Sequence, residues 1–124
     1  MSLQNFGERW IDVAGIRTRY FEAGDGEPIV LIHGGAFGDK TGAANAEDWD
    51  LNFPTLAKRC RVISIDRLGQ GLTDLPSSDA NYTMAASVAH VVKLLETLGQ
   101  APYHIVGHSR GGYVACRVAL DRPD

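Results

Sequence analysis

Tyr103-His104-Ile105-Val106-Gly107-His108-Ser109-Arg110-Gly111-Gly112 decides the fold of this 124-residue chain. The first four residues have strand character, and Tyr113 to Leu120 reads as a helix. Between them a serine stands with glycines two positions before and two positions after it, the pattern G-x-S-x-G. Where a strand turns sharply into a helix, the apex residue is strained. Side chains two positions either side would collide, so those positions must be nearly bare. The apex hydroxyl then stands clear of the sheet at the N-terminus of the helix. That end carries partial positive charge and free N–H groups, which suit a developing oxyanion.

Working outward from this bend, Tyr82 to Leu98 carries Met84, Val88, Val91, Val92, Leu95 and Leu98 at three- and four-residue steps. The spacing predicts a helix, with Asn81 as N-cap and Gly99 as its stop. Arg61-Val62-Ile63-Ser64-Ile65 and Ile29-Val30-Leu31-Ile32 are short apolar runs, expected of strands covered on both faces. The second run leads into His33-Gly34-Gly35-Ala36-Phe37-Gly38, and the first into the loop Asp66-Arg67-Leu68-Gly69-Gln70-Gly71-Leu72-Thr73-Asp74. Trp49, Phe53, Leu56 and Ala57 fit one face of a helix from about Glu47 to Lys58, with a kink or irregular start at Pro54. Upstream, Glu8 to Val13 and Ile16 to Ala23 form a hairpin about Ala14-Gly15. A helix from about Arg110 to Leu120, ended by Pro123, completes the chain.

A hairpin followed by alternating strands and helices predicts an α/β fold with a mostly parallel sheet. Sites in such folds lie beyond the carboxyl ends of the strands. His33-Gly34-Gly35, Asp66 to Gly71 and Ser109 all fall there. Composition excludes other classes. The chain has the length of one domain, with 44% hydrophobic residues and 22% charged. A net charge of −3 leaves no basic footprint for nucleic acid. No apolar run approaches membrane-spanning length, and no basic-then-apolar leader precedes the hairpin. Cys60 and Cys116 have no metal-type spacing and read as a reduced pair in the cytoplasm. Neither G-x-G-x-x-G nor a P-loop lysine motif follows a strand, which argues against a nucleotide-binding domain.

With these residues placed, the chain resembles the N-terminal half of an α/β-hydrolase. The likeness rests on the leading hairpin, the strand ending in His33-Gly34-Gly35, the loop Asp66 to Gly71 and the bend Gly107 to Gly111. The resemblance implies Ser109 as nucleophile and the Arg110 N–H as one oxyanion-hole donor. The second donor would be the Gly35 N–H, with Ala36 as the alternative. It implies that Asp66 braces its loop, and that neither cofactor nor metal is needed. Within the family, His-Gly-Gly before a long polar loop looks most like the meta-cleavage-product hydrolases, which cut a carbon–carbon bond in vinylogous diketo acids. Two positions depart from that pattern: Ala36 stands for a third glycine, and His108 for a common asparagine. A serine at the apex implies acyl chemistry or activation of water beside a carbonyl, whereas relatives that form alkyl-enzyme esters carry aspartate there. Asn45 either faces substrate or is an exposed loop residue.

A serine nucleophile needs a base, and the base needs an orienting acid. In the resembling family these follow the nucleophile, but the fifteen residues after Ser109 hold Asp121 and Asp124 and no histidine. Asp121 is expected to cap its helix or meet solvent. Of the earlier histidines, His108 adjoins the nucleophile and should point away from it. His33 is expected to hydrogen-bond backbone, His104 to sit packed in a strand, and His90 to be exposed or half-buried on its helix. The expectation is therefore a single-domain N-terminal portion, residues 1–124, with a nucleophile and oxyanion hole for a small carbonyl substrate, an ester or the C–C bond of a diketo acid, but no base, cap or C-terminal part. The strand near Pro102 to Val106 should then form an open apolar edge suited to pairing with a second copy. The competing expectation is a non-catalytic interaction or scaffold protein that keeps the fold.

Overall fold

Ala14 and Gly15 reverse the chain with φ of 50° and 90°, and the Asp12 carboxylate accepts the Gly15 N–H at 2.7 Å. This turn joins β1 (Glu8–Val13) to β2 (Ile16–Ala23), the expected hairpin. The structure, a computed structural model, describes residues 3–35, 44–99 and 102–123. Three further strands follow: β3 (Pro28–Ile32), β4 (Arg61–Ile65) and β5 (His104–Gly107). The sheet order is β1-β2-β4-β3-β5. It is a mixed sheet. The hairpin joins it with β2 antiparallel to β4, while β3 runs parallel to both β4 and β5. Ile32 pairs with Ile65 and with Gly107, so three strands end side by side at one edge.

Period-2 alternation divides the strand residues between two apolar layers. Val30, Ile32, Ile63, Ile65 and Tyr20 face α2 (Met84–Leu98) and α3 (Arg110–Asp121), meeting Val88, Val91, Leu94, Val114 and Val118. Leu31, Val62 and Phe21 face the other way, onto Leu3, Ala46 and Phe53.

The Glu47–Lys58 segment is not one helix. It divides into a 3₁₀ turn, Ala46–Trp49, and a single α turn, α1 (Phe53–Leu56). The Asn45 side chain caps the first by accepting the Glu47 N–H at 2.8 Å. Pro54 confines the second, because proline is tolerated only in a helix's first turn. Trp49, Phe53, Leu56 and Ala57 still reach the lower layer. At α2 the N-cap is Thr83, whose hydroxyl accepts the Ala86 N–H at 3.1 Å. Asn81 instead closes a preceding 3₁₀ turn, Asp79–Asn81. Gly99 ends α2 as expected, its N–H returning to the Leu95 carbonyl.

Two histidines lie opposite to expectation. His90 is buried, 3% exposed, because α2 sets it over β2. The Thr18 hydroxyl donates to the Ile16 carbonyl at 3.1 Å, so it accepts the His90 Nε2–H at 2.9 Å. His104 is exposed and pairs with Glu27 at 2.8 Å. It stands on the outermost described strand, at an exposed position.

Burial pushes the His90 pKa down to about 4. A folded-state pKa below the unfolded value means the unfolded chain takes up its proton first as pH falls. The stability held above pH about 6.5 is therefore lost progressively toward pH 4, by about 3 kcal/mol at most. Urea midpoints measured across this range are expected to fall with pH, and to fall less steeply in His90→Gln.

Candidate active site

Ser109 occupies the apex between β5 and α3 with φ 57° and ψ −122°, a backbone conformation that costs a non-glycine residue energy. The bend is closed by three backbone hydrogen bonds: His108 N–H to the Ile32 carbonyl at 3.1 Å, Gly111 N–H to His108 at 2.9 Å, and Gly112 N–H to Ser109 at 2.9 Å. The bracketing glycines are bare for a reason the geometry makes plain. A Cβ on Gly107 would land on the Gly111 carbonyl, and one on Gly111 would land on the carbonyls of Ile32 and His33. Gly111 thus lets α3 lie directly against the end of β3. Ser109 is left exposed, and its side chain makes no capping bond to α3. Arg110 follows at the first helical position, where the N–H has no intrahelical acceptor.

The loop after β3 meets this bend. A Cβ on Gly34 would stand 2.9 Å from both the His108 carbonyl and Ser109 Cβ, so the absence of a side chain brings the two chains together. Gly35 continues at φ 83°, where a side chain would run into Ala44 and come within 3.0 Å of Gln70 Nε2. Of the residues expected at the site, Ser109 and Gly34-Gly35 are therefore neighbours, with Arg110 next to the serine. Ala36 lies outside the described residues, as does Asp124.

A buried polar layer lies beneath these loops. His33 donates from Nδ1 to the Gly34 carbonyl at 2.8 Å and accepts the Arg67 N–H on Nε2 at 3.0 Å. It binds backbone on both sides, as expected. Burial, opposed by the Gly34 carbonyl and reinforced by the Arg67 cation, pushes its pKa down to about 4, so the ring is neutral. Asp66 receives Arg19 at 2.7 and 3.2 Å, the Ala46 N–H at 2.8 Å and the Leu72 N–H at 2.8 Å. It thereby ties β2, the crossover and its own loop together, which is the bracing role the resemblance implies. Burial draws the Arg19 guanidinium's pKa down, but its bonds to Asp66 and attraction to Asp66 and Glu47 outweigh this and raise it.

Arg67 and Gln70 were not recognised from sequence. Arg67 is fully buried, and its guanidinium reaches the Gly34 carbonyl at 3.1 Å, the Gly35 carbonyl at 2.7 Å and the Ser87 hydroxyl at 3.2 Å. Burial and the nearby Arg110 cation push its pKa down to about 10. Their signal was only their place in a glycine-punctuated loop at a strand end. Asn45 acts as a cap, and Asp121 is exposed and pairs with Arg117 at 2.9 Å. None of the four histidines is hydrogen-bonded to the Ser109 hydroxyl: His33, His90 and His104 have the partners given above, and His108 is exposed beside the serine.

A mixed sheet with α2 and α3 on one face, and a strand-to-helix serine bend facing a glycine turn, defines an α/β class. The model of the alpha/beta hydrolase fold matches residues 27–124, and the chain belongs to that family. It is 37% identical over 114 residues to a 2-hydroxy-6-oxo-6-(2'-aminophenyl)hexa-2,4-dienoic acid hydrolase of Metapseudomonas resinovorans, covering 91% of this chain and 37% of that protein. It is 40% identical over 116 residues to a 2-hydroxymuconate semialdehyde hydrolase of Pseudomonas sp. strain CF600, covering 94% and 39%. Among solved structures, a serine hydrolase involved in carbazole degradation superposes with TM-score 0.82 at 36% identity, covering 94% of this chain and 43% of that one. The chain thus spans under half the length of these relatives.

The two glycines following Arg110 should respond in opposite ways. Gly111→Ala forces a Cβ into two backbone carbonyls and is expected to cost about 3 kcal/mol. Gly112→Ala meets nothing closer than 3.6 Å inside a helix and is expected to gain up to about 1 kcal/mol. Urea unfolding of both variants checks the contrast.

Proposed function

We propose that the chain carries the nucleophile and oxyanion hole of a serine hydrolase acting on a small carbonyl substrate. One observation carries this reading: Ser109 is exposed at a strained apex with Gly34 against its Cβ. In the proposed reaction Ser109 Oγ engages the carbonyl, or a water beside it. The oxygen that becomes negative is taken up by the N–H groups of Arg110 and Gly35. Each such donor is typically worth about 3 kcal/mol in the transition state. The bond we favour is the carbon–carbon bond of a vinylogous diketo acid rather than an ester. Two relatives identical to this chain at more than a third of the aligned positions are named as hydrolases of a dienoic acid and of 2-hydroxymuconate semialdehyde, which supports that choice. No histidine among the described residues meets Ser109, so we assign the base and its acid to groups outside residues 1–124. Free thiols at Cys60 and Cys116 fit a reducing compartment, and we place the protein in the cytoplasm.

The 124-residue chain alone is expected to hydrolyse p-nitrophenyl acetate no faster than background. Fused to the part of the CF600 semialdehyde hydrolase that follows the equivalent helix, it is expected to turn over 2-hydroxymuconate semialdehyde. That turnover should fall at least about 10³-fold in Ser109→Ala. Turnover by the chain alone that Ser109→Ala abolishes would overturn the placement of the base. Fusion activity indifferent to Ser109→Ala would overturn the nucleophile.

A further inference from the structure

We infer that Arg67, Gln70 and His33 are positioning residues that aim and polarise the Gly34–Gly35 peptide so that its N–H serves the oxygen held beside Ser109. The inference rests on the reading of Ser109 and Gly35 just proposed. Three donors converge on one carbonyl: the Gly34 oxygen accepts from His33 Nδ1 at 2.8 Å, Arg67 Nη2 at 3.1 Å and Gln70 Nε2 at 3.2 Å. The same Arg67 Nη2 holds the next carbonyl, that of Gly35, at 2.7 Å. A carbonyl has two lone pairs, so three donors saturate it and remove its freedom to rotate.

Two consequences follow from the chemistry of the amide. Across a trans peptide the C=O and the following N–H point in opposite directions. Anchoring the Gly34 oxygen among buried donors therefore sends the Gly35 N–H away from them. Donation to the oxygen also draws charge through the amide and makes that N–H a stronger donor, because hydrogen bonds in a chain polarise one another in a low-dielectric interior. The donor from His33 is fixed, since its Nε2 is occupied by the Arg67 N–H and the proton must sit on Nδ1. Gly35 itself is at φ 83°, a conformation a larger residue resists, so the peptide is held by its partners rather than by its own preference.

Arg67 supplies an independent argument. It is 1% exposed, yet no carboxylate pairs with it among the described residues, and its Nε is buried without a hydrogen-bond partner there. A buried cation of this kind is costly, and an apolar side chain of similar volume would serve stability at least as well. Its charge is directed instead onto the carbonyls of the two glycines beside Ser109.

The test uses the 124-residue chain labelled with ¹³C and ¹⁵N, with phenylboronic acid as probe, since it forms a tetrahedral anion on a serine oxygen. In Gln70→Leu, which removes one of the three donors at similar volume, the Gly34 carbonyl carbon and Gly35 amide proton are expected to move upfield while the remaining spectrum stays in place. Boronate binding should weaken about fivefold, the loss of one net hydrogen bond. Arg67→Met should weaken it further; if that variant does not fold, Gln70→Leu decides alone. A folded Gln70→Leu chain with unchanged Gly34 and Gly35 resonances, or with unchanged boronate affinity, overturns the inference. Ser109→Ala separates the two levels. Loss of boronate with the Gly34 resonance intact supports both. Boronate retained in Ser109→Ala overturns the nucleophile while the Gly34 signature still judges the positioning role. A wild-type chain that binds no boronate overturns the reading of Ser109, and the Gly34 and Gly35 resonances of Gln70→Leu then judge the positioning role.

Discussion

The approach of α3 to the end of β3 is the contact on which the rest of the architecture depends. It is possible only because Gly111 has no side chain to place against the carbonyls of Ile32 and His33. Once α3 sits there, Gly107 must also be bare, because its neighbour is the Gly111 carbonyl. The apex residue then has no choice but a left-handed backbone, and Ser109 accepts it at φ 57°. The apolar layer on that face follows from the same contact, since Val114 and Val118 reach Ile32 and Val30 only when α3 is seated. Sterics at two positions thus set both the upper core and the posture of the candidate nucleophile.

A second constraint is polar. Asp66 and Arg67 leave β4 side by side and serve different purposes. Asp66 is paired with Arg19 and with two backbone N–H groups, and holds Ala46 while Ser64 binds the Ala46 carbonyl at 2.7 Å. This ion pair and its hydrogen bonds meet the conditions under which a buried pair is tolerated, with every oxygen occupied. Arg67 turns toward the glycine loop instead. The connection from β3 to β4 is therefore held at two points, at Gly34–Gly35 by His33, Arg67 and Gln70 and at Ala46 by Asp66 and Ser64.

What the sequence discloses follows from how local the cause is. The hairpin, β3, β4 and the serine bend were legible because their signals sit within a few residues: an Ala14-Gly15 turn, β-branched runs, and glycines at fixed offsets from Ser109. The helix expected at Glu47–Lys58 failed because Asn45 and Pro54 each impose a separate start, and short-range capping outweighed the apolar spacing. His90 and His104 exchanged places for a long-range reason. The burial of His90 depends on Thr18, 72 residues away, and the exposure of His104 on its strand standing outermost in the sheet. Arg67 and Gln70 were passed over because a charged residue and an amide in a glycine-rich loop look solvated until the carbonyls they serve, more than thirty residues upstream, are brought to them. The sheet proved evenly mixed because the hairpin's return strand docks on β4, a pairing no local pattern announces.

The bend at Ser109 has one more implication. Its shape is imposed from outside, by β3, by Gly107 and by Gly111, and the hydroxyl takes no part in the hydrogen bonds that close it. The position behaves as a socket whose contents are interchangeable. A thiol or a carboxylate placed there would inherit the same presentation, with the scaffold unaltered. A change of the chemical group shown at the apex is thus one codon away, whereas altering either flanking glycine forfeits the socket itself.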